Sequence, residues 1–275
     1  MIRGGRRCSG IRNFGEGGGP PPHRGDLLAA QPLTLAYAAA CIFLAAVVRG
    51  YSGFGFSLLA ITSLSLLLPP AQIVPSVFLM EVAASLRLLP EVWRDVHWRA
   101  LGWLVAGCCV GTPFGVYALA HAPAAPMTLA MSVFVLAAAL LLAGGRQMRR
   151  LPGPALTLAA GAASGLFNGG FGMGGPPVVL LFFSTPTGVA AGRASLIAFF
   201  LVTDVVGLAW QASSGLITPT TVWRGALFLP PLIGGLWLGS RSFKQADPAV
   251  FRRWVLRLLM GLAVLAAGKA LWELH

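Results

Sequence analysis

Two glycine-rich runs, Ser52-Gly53-Phe54-Gly55-Phe56 and Gly169-Gly170-Phe171-Gly172-Met173-Gly174-Gly175, interrupt stretches that otherwise have the apolarity of membrane helices. A helix restarted after such a break presents unpaired N–H groups and about half a positive charge at its N-terminus, which together make a seat for an anion. In the first run Gly53, Phe54 and Gly55 form the turn, with Ser52 and Ser57 as hydroxyl donors. In the second, Asn168 is a carboxamide donor, Gly170, Phe171 and Gly172 form the turn, and Gly174 and Gly175 let a ligand approach the backbone. Pro176 suits a first helical turn, where its missing N–H costs nothing. The bland alternative is that these glycines only let helices cross closely.

Ionisable groups are scarce within the apolar stretches. Glu81 lies in the middle of segment 71–89 and Asp204 deep in 189–212. A central ion costs roughly 2.5–3.5 kcal/mol on insertion scales, so each marks either a proton relay or an ion pair. Arg87 and Arg193 are the candidate partners; a shift of 117 residues lays Arg87 on Asp204. Arg49 and Arg193 stand near segment ends, where long side chains snorkel to the interface. His97 and His121 read as loop or interface residues. Cys8, Cys41, Cys108 and Cys109 show no metal-ligand spacing, and the three within apolar segments read as buried, inert thiols.

The elements that must hold these groups are helices in a membrane. Of the 275 residues 56% are hydrophobic and 10% charged, against about 25% charged in soluble domains. Proline, glycine and charge punctuation divides the chain into ten apolar segments, near 33–49, 51–68, 71–89, 101–120, 127–144, 154–168, 175–185, 189–212, 221–240 and 253–271. The segments flanking the glycine runs fall short of the roughly 20 residues a span needs. They read as broken or re-entrant helices, tolerated in lipid only where protein or a cavity surrounds the backbone. Residues 1–31, rich in Gly, Pro and Arg, read as a disordered tail. Residues 32–149 and 150–275 form the two halves of one membrane domain.

The halves superpose in sequence at the 117-residue shift: Gly53-Phe54-Gly55 falls on Gly170-Phe171-Gly172, Pro69 on Pro186 and Pro113 on Pro230. The net charge of +12 resides in alternate short loops, around Arg49, Arg94 and Arg99, Arg146 to Arg150, Arg193, and Arg241 to Arg253. That is the positive-inside pattern of a membrane protein, not a nucleic-acid face. With five crossings per half, the two repeats are expected to be inverted and both termini to lie outside, although the five arginines of the tail prefer the cytoplasm. Gly107, Gly111 and Gly115, Gly161, Gly165 and Gly169, and Gly235 and Gly239 recur every four residues, as close-packed helix faces do. The expected fold is therefore all-α: a polytopic helical membrane protein of two inverted repeats.

No phosphate loop, zinc-binding H-E-x-x-H or Gly-x-Ser-x-Gly motif is present, so neither ATP-driven transport nor catalysis is expected. The stretch Gly165-Leu166-Phe167-Asn168-Gly169-Gly170-Phe171-Gly172-Met173-Gly174-Gly175-Pro176-Pro177 resembles the hallmark of the sulfite exporter TauE/SafE family. The stretch from Ala191-Gly192-Arg193-Ala194-Ser195 to Asp204 is similar to that family's following helix, and the likeness runs over about residues 33–271. In the first half, Phe56-Ser57-Leu58 stand where the family pattern has Gly-Gly-Gly. The resemblance implies a multi-pass permease of a bacterial plasma membrane that moves sulfite, sulfonates or other sulfur-bearing organic anions. It implies a small anion and the bilayer as partners, with proton or cation coupling and a homo-oligomer as further expectations, and no cofactor. A membrane-embedded enzyme or assembly factor, or a cation transporter using Glu81 and Asp204, are the competing readings.

Overall fold

A computed structural model describes residues 32–143, 153–183 and 189–242, and isolated helical positions between 257 and 272. The expected tail 1–31, the basic loop at 146–150, Pro186 and most of the last apolar segment lie outside the described residues. Among those described the chain is helical throughout, with no strand. The first half comprises α1 Pro32–Ser52, α2 Phe56–Leu64, α3 Pro70–Val92, a 3-10 turn Trp93–Asp95, α4 Trp98–His121 and α5 Ala124–Ala143. The second comprises α6 Pro154–Phe171, α7 Gly175–Phe183, α8 Val189–Ser213, α9 Pro219–Leu227 and α10 Leu229–Ser242. Four helices, at 32–52, 70–95, 98–121 and 190–213, are long and apolar enough to cross a membrane, as an all-α polytopic membrane protein requires.

Both glycine runs end one helix and begin another. Gly53 follows α1 at φ 78° and Gly172 follows α6 at φ 69°, the left-handed conformation that glycine alone adopts without penalty. Gly53 N–H bonds back to the Arg49 carbonyl at 2.8 Å. Gly172 N–H bonds to the Asn168 carbonyl at 2.7 Å, the αL form of helix ending, and Met173 N–H to that of Phe167 at 3.3 Å. Tyr37 Oη reaches the Ser63 carbonyl at 3.2 Å, so α2 folds back antiparallel along α1. Of the two expected forms, broken or re-entrant, this half takes the hairpin. At nine residues each, α2 and α7 are about 14 Å long.

A third interruption was not legible as such. The apolar segment 221–240 is two helices, α9 and α10, meeting at Phe228. Pro230 and Pro231 follow at once, and each removes an N–H and crowds the carbonyl four residues back. The N-terminus of α9 is fixed by a capping box in which Thr218 and Thr221 satisfy each other's backbone.

The largest helix contacts are reciprocal between halves: α4 with α6 and α1 with α10, then α3 with α8. The glycine faces make them. A Cβ on Gly107, Gly111 or Gly115 would overlap the carbonyl oxygens of Leu158, Ala162 and Leu166 in turn, so α4 and α6 run parallel, backbone on backbone. Gly239 abuts the Val47 carbonyl and Gly50 that of Leu236, which sets α1 parallel to α10. Without a hydrophobic drive inside lipid, such close approach is what holds helices together. Gly111→Ala is therefore expected to lower stability by about 1–3 kcal/mol in detergent melts, the usual cost of overpacking. Gly102→Ala on the same helix has no heavy atom within 4 Å of the new Cβ, and should be neutral or stabilising by up to about 1 kcal/mol.

Candidate functional site

The turn after α1 lies level with the middle of α3, because Glu81, near that helix's centre, meets the start of α2. Glu81 Oε1 accepts from Ser57 Oγ at 2.6 Å and from Ser57 N–H at 3.3 Å. Its Oε2 lies 3.0 Å from Arg49 Nη2, and the same nitrogen donates to Ser85 Oγ at 2.7 Å. Arg49 is 0% and Glu81 2% exposed. The interfacial snorkelling expected of Arg49 does not occur: its guanidinium turns inward to the Glu81 carboxylate, which offsets its burial.

The second turn is built on the same plan. Asn168 Nδ2 donates to Asp204 Oδ1 at 3.0 Å, while Asn168 Oδ1 accepts from Gly174 N–H at 3.2 Å. Ser164 Oγ bonds the Gly174 carbonyl. Gly53 and Gly172, Arg49 and Asn168, Ser85 and Asp204 are each 119 residues apart. The bond Arg49–Ser85 is thus the counterpart of Asn168–Asp204. The register of the two halves around the site is 119, not 117, and Asp204 corresponds to Ser85 instead of Arg87.

The two turns share one buried neighbourhood. The Phe200 ring lies under the Arg49 guanidinium, 4.7 Å from its centroid, and 3.3 Å from where Gly175 would carry a Cβ. Gly172 abuts Ile61 of α2 and Val74 and Phe78 of α3. Asp204 lies within electrostatic reach of Glu81 and Arg49. On α8, Arg193, Phe200, Asp204 and Gln211 fall at spacings of 7, 4 and 7 residues, one face of a helix. Gln211 is 0% exposed, with neither carboxamide atom hydrogen-bonded.

The sequence-derived site residues are distributed unevenly. Ser57, Asn168, Gly172, Gly174, Gly175, Pro176, Glu81 and Asp204 are buried around this core. Ser52 instead caps its own turn, donating to the Val48 carbonyl at 2.8 Å and accepting from Phe54 N–H at 3.3 Å. Gly53 packs on the Arg193 side chain, and Gly55 on Val48. Gly170 sits close to Gly115 of α4, and Phe171 joins Phe134 and Phe167 in an aromatic cluster. Arg87 does not reach Asp204: it pairs with Glu91 at 2.6 Å on the surface, an ordinary i, i+4 pair. Arg193 does not snorkel either. It is buried and donates to the Gly50 carbonyl at 2.7 Å, a cation at the end of α1 where the helix dipole is negative. The restarted amides are not bare, since Ser57 N–H is taken by Glu81 and Gly174 N–H by Asn168. Among the cysteines Cys108 is buried, but Cys109 is exposed on α4 and Cys41 half-buried, which corrects the expectation of uniformly buried thiols.

Arg49, Ser85 and Phe200 were missed as site residues. Their signal was available: each has a counterpart at the 119 shift in a residue already singled out or beside one, but sparse identity between halves hid the register. Among the described residues no cluster of three or more His, Cys, Asp or Glu side chains could hold a metal.

Comparison with known proteins follows the same lines. The family model described as sulfite exporter TauE/SafE matches residues 38–266. The chain is 28% identical over 217 residues, 76% of its length and 84% of the relative's, to the probable sulfite/organosulfonate exporter TauE of Cupriavidus necator. It is 26% identical over 205 residues, covering 72% of this chain and 81% of the other, to the probable inner membrane transporter protein TsaS of Comamonas testosteroni. No solved structure gives a significant match.

Proposed function

We propose, from the premise that this chain belongs to the sulfite exporter TauE/SafE family, that it is a secondary transporter of the bacterial inner membrane carrying sulfite, a sulfonate or a related sulfur-bearing anion. The single observation that carries the proposal is the Arg49 centre. A fully buried guanidinium is paired with Glu81 at the start of α2, and Phe200, which it covers, lies against Gly175 at the start of α7. Nε and Nη1 of Arg49 have no hydrogen-bond partner, so a charged group keeps unspent N–H donors of the kind that bind the oxygens of an oxyanion. The name of one relative, a probable sulfite/organosulfonate exporter, agrees with such a ligand, and that of the other with inner-membrane transport.

In this reading the halves are inverted repeats that rock about the site, exposing it to each side in turn. The reciprocal packing of α1 on α10 and α6 on α4 supports it. So does their parallel direction: in a path of alternating segments, parallel neighbours stand an even number of segments apart, as the fourth and sixth and the first and ninth do. Glu81 and Asp204 are the candidate groups for coupling to protons. The Arg49 charge between them weighs against a cation as cargo.

Proteoliposomes containing the purified protein should show saturable flux of labelled sulfite or sulfoacetate, well above protein-free vesicles. Turnover of either compound without movement across the bilayer would favour the enzyme reading, and flux of a cation in its place would favour the cation reading.

A further inference from the structure

We infer that Glu81 is a tethered stand-in for the substrate anion: its carboxylate occupies the seat at the N-terminus of α2, and substrate binds there by displacing it. The inference rests on the transport reading and adds to it the group with which substrate competes.

Two donors and a cation converge on Glu81: the Ser57 hydroxyl at 2.6 Å, the Ser57 N–H in the first turn of α2 at 3.3 Å, and the Arg49 guanidinium, whose Nη2 pairs with Oε2 at 3.0 Å. A hydroxyl, a helix-start amide and a guanidinium are the donors that bind the oxygens of a sulfonate or sulfite. The chain therefore fills with its own carboxylate the place that the interrupted helix prepares for an anion. Glu81 does not exhaust the guanidinium, because Nη2 alone serves both Glu81 and Ser85 while Nε and Nη1 are buried and unpartnered. Buried donors left unmade are costly, so these free N–H groups draw in the oxyanion, and the two-point fork with Nη2 opens to it once Glu81 departs. The device exists once. Phe200 holds the position of Glu81 at the 119 shift, and Asn168, a neutral residue, holds that of Arg49.

Charge balance completes the exchange. The charged groups around Glu81 are Arg49 from α1 and Asp204 from α8, with Arg193 of α8 acting on Arg49. The facing groups from α2 and α6, Ser57 and Asn168, carry no charge, and Arg224 of α9 lies toward Gln72 at the far end of α3. A monovalent anion added to Arg49 while Glu81 stayed ionised would set two negative groups on one guanidinium in the interior, which is strongly disfavoured. The displaced Glu81 carboxylate therefore takes one proton from water for each anion bound.

The test is calorimetric titration of the full-length protein and of Glu81→Gln with sodium methanesulfonate, an anion ionised throughout the working pH range, in buffers of differing ionisation enthalpy. Glu81→Gln is expected to bind about tenfold or more tightly than the parent at pH 7.5, without proton uptake, while the parent takes up about one proton per anion. Equal or weaker binding by a folded Glu81→Gln, or binding by the parent with no proton uptake, overturns the inference and leaves the transport reading standing. Should Glu81→Gln not fold, the parent's proton count decides alone. Folded parent and variant that bind neither methanesulfonate nor isethionate would remove the transport reading, and this inference with it.

Discussion

Arg49→Gln is expected to abolish anion flux, with at least a hundredfold loss in proteoliposomes, and to destabilise the protein by about 3–5 kcal/mol, the cost of leaving one member of a buried ion pair uncompensated. Arg49 is the hub of the site. It holds Glu81 at 3.0 Å and Ser85 at 2.7 Å, and covers the Phe200 ring at 4.7 Å. Removing its charge strands Glu81, which is 2% exposed. The double variant Arg49→Gln/Glu81→Gln separates the two effects. Neutralising both partners should restore much of the stability, because a buried pair is itself only weakly stabilising against neutral replacements. It should not restore flux, since the guanidinium proposed to grip the oxyanion is gone. Melting in detergent and labelled-anion flux read the two arms, and a double variant that transported normally would make Arg49 a structural residue only.

Replacing Gly174 with Leu is the second large effect: flux should fall below detection while membrane insertion and expression persist. A Cβ at position 174 would lie 2.8 Å from Asn168 Cβ and 2.8 Å from Ser164 Oγ, and Cβ atoms do not tolerate such contacts. The side chain would push Asn168 away from Asp204 and from the Gly174 amide it caps. Gly172→Leu acts at the same turn through two causes at once, a left-handed φ of 69° and overlap with Ile61 of α2, with Phe78 and Val74 of α3 also crowded. Gly215 supplies the contrast. It is also left-handed, at φ 70°, but no heavy atom lies within 4 Å of its would-be Cβ. Gly215→Ala should cost about 1–2 kcal/mol for the conformation alone and leave flux intact. Normal flux through Gly174→Leu would place the second turn outside the transport path.

Particular residues show where sequence reasoning reached and where it stopped. The helix ends at Ser52 and Phe171 were legible, because few patterns place Gly-x-Gly inside an apolar run without breaking it. The four-residue glycine spacing on α4 and α6 was read as packing, and the two faces meet each other. Arg87 shows the limit. A matched position in an approximate alignment gave it Asp204 as partner, yet the nearest acid along its own helix, Glu91, takes it at the surface. Ser52 shows a second limit, since a hydroxyl beside a glycine turn satisfies the turn itself before any ligand. The break at Phe228 was hidden because Pro230 and Pro231 look the same in a kinked helix and in a divided one.

The amino-acid order alone determined the class, the helices and the two interruptions, because apolarity over membrane length and glycine's freedom at positive φ are local properties. It also marked Glu81 and Asp204 as groups that need a partner, since a lone charge in lipid is costly. Only the tertiary structure decided that Arg49 turns inward to Glu81, that Asn168 bridges Asp204 and Gly174, and that the halves match at 119. Those facts depend on which helix faces come within about 3 Å of each other across more than thirty residues of chain. The spacing of one helix does not encode its neighbours; the close backbone packing of α1 on α10 and α4 on α6 does.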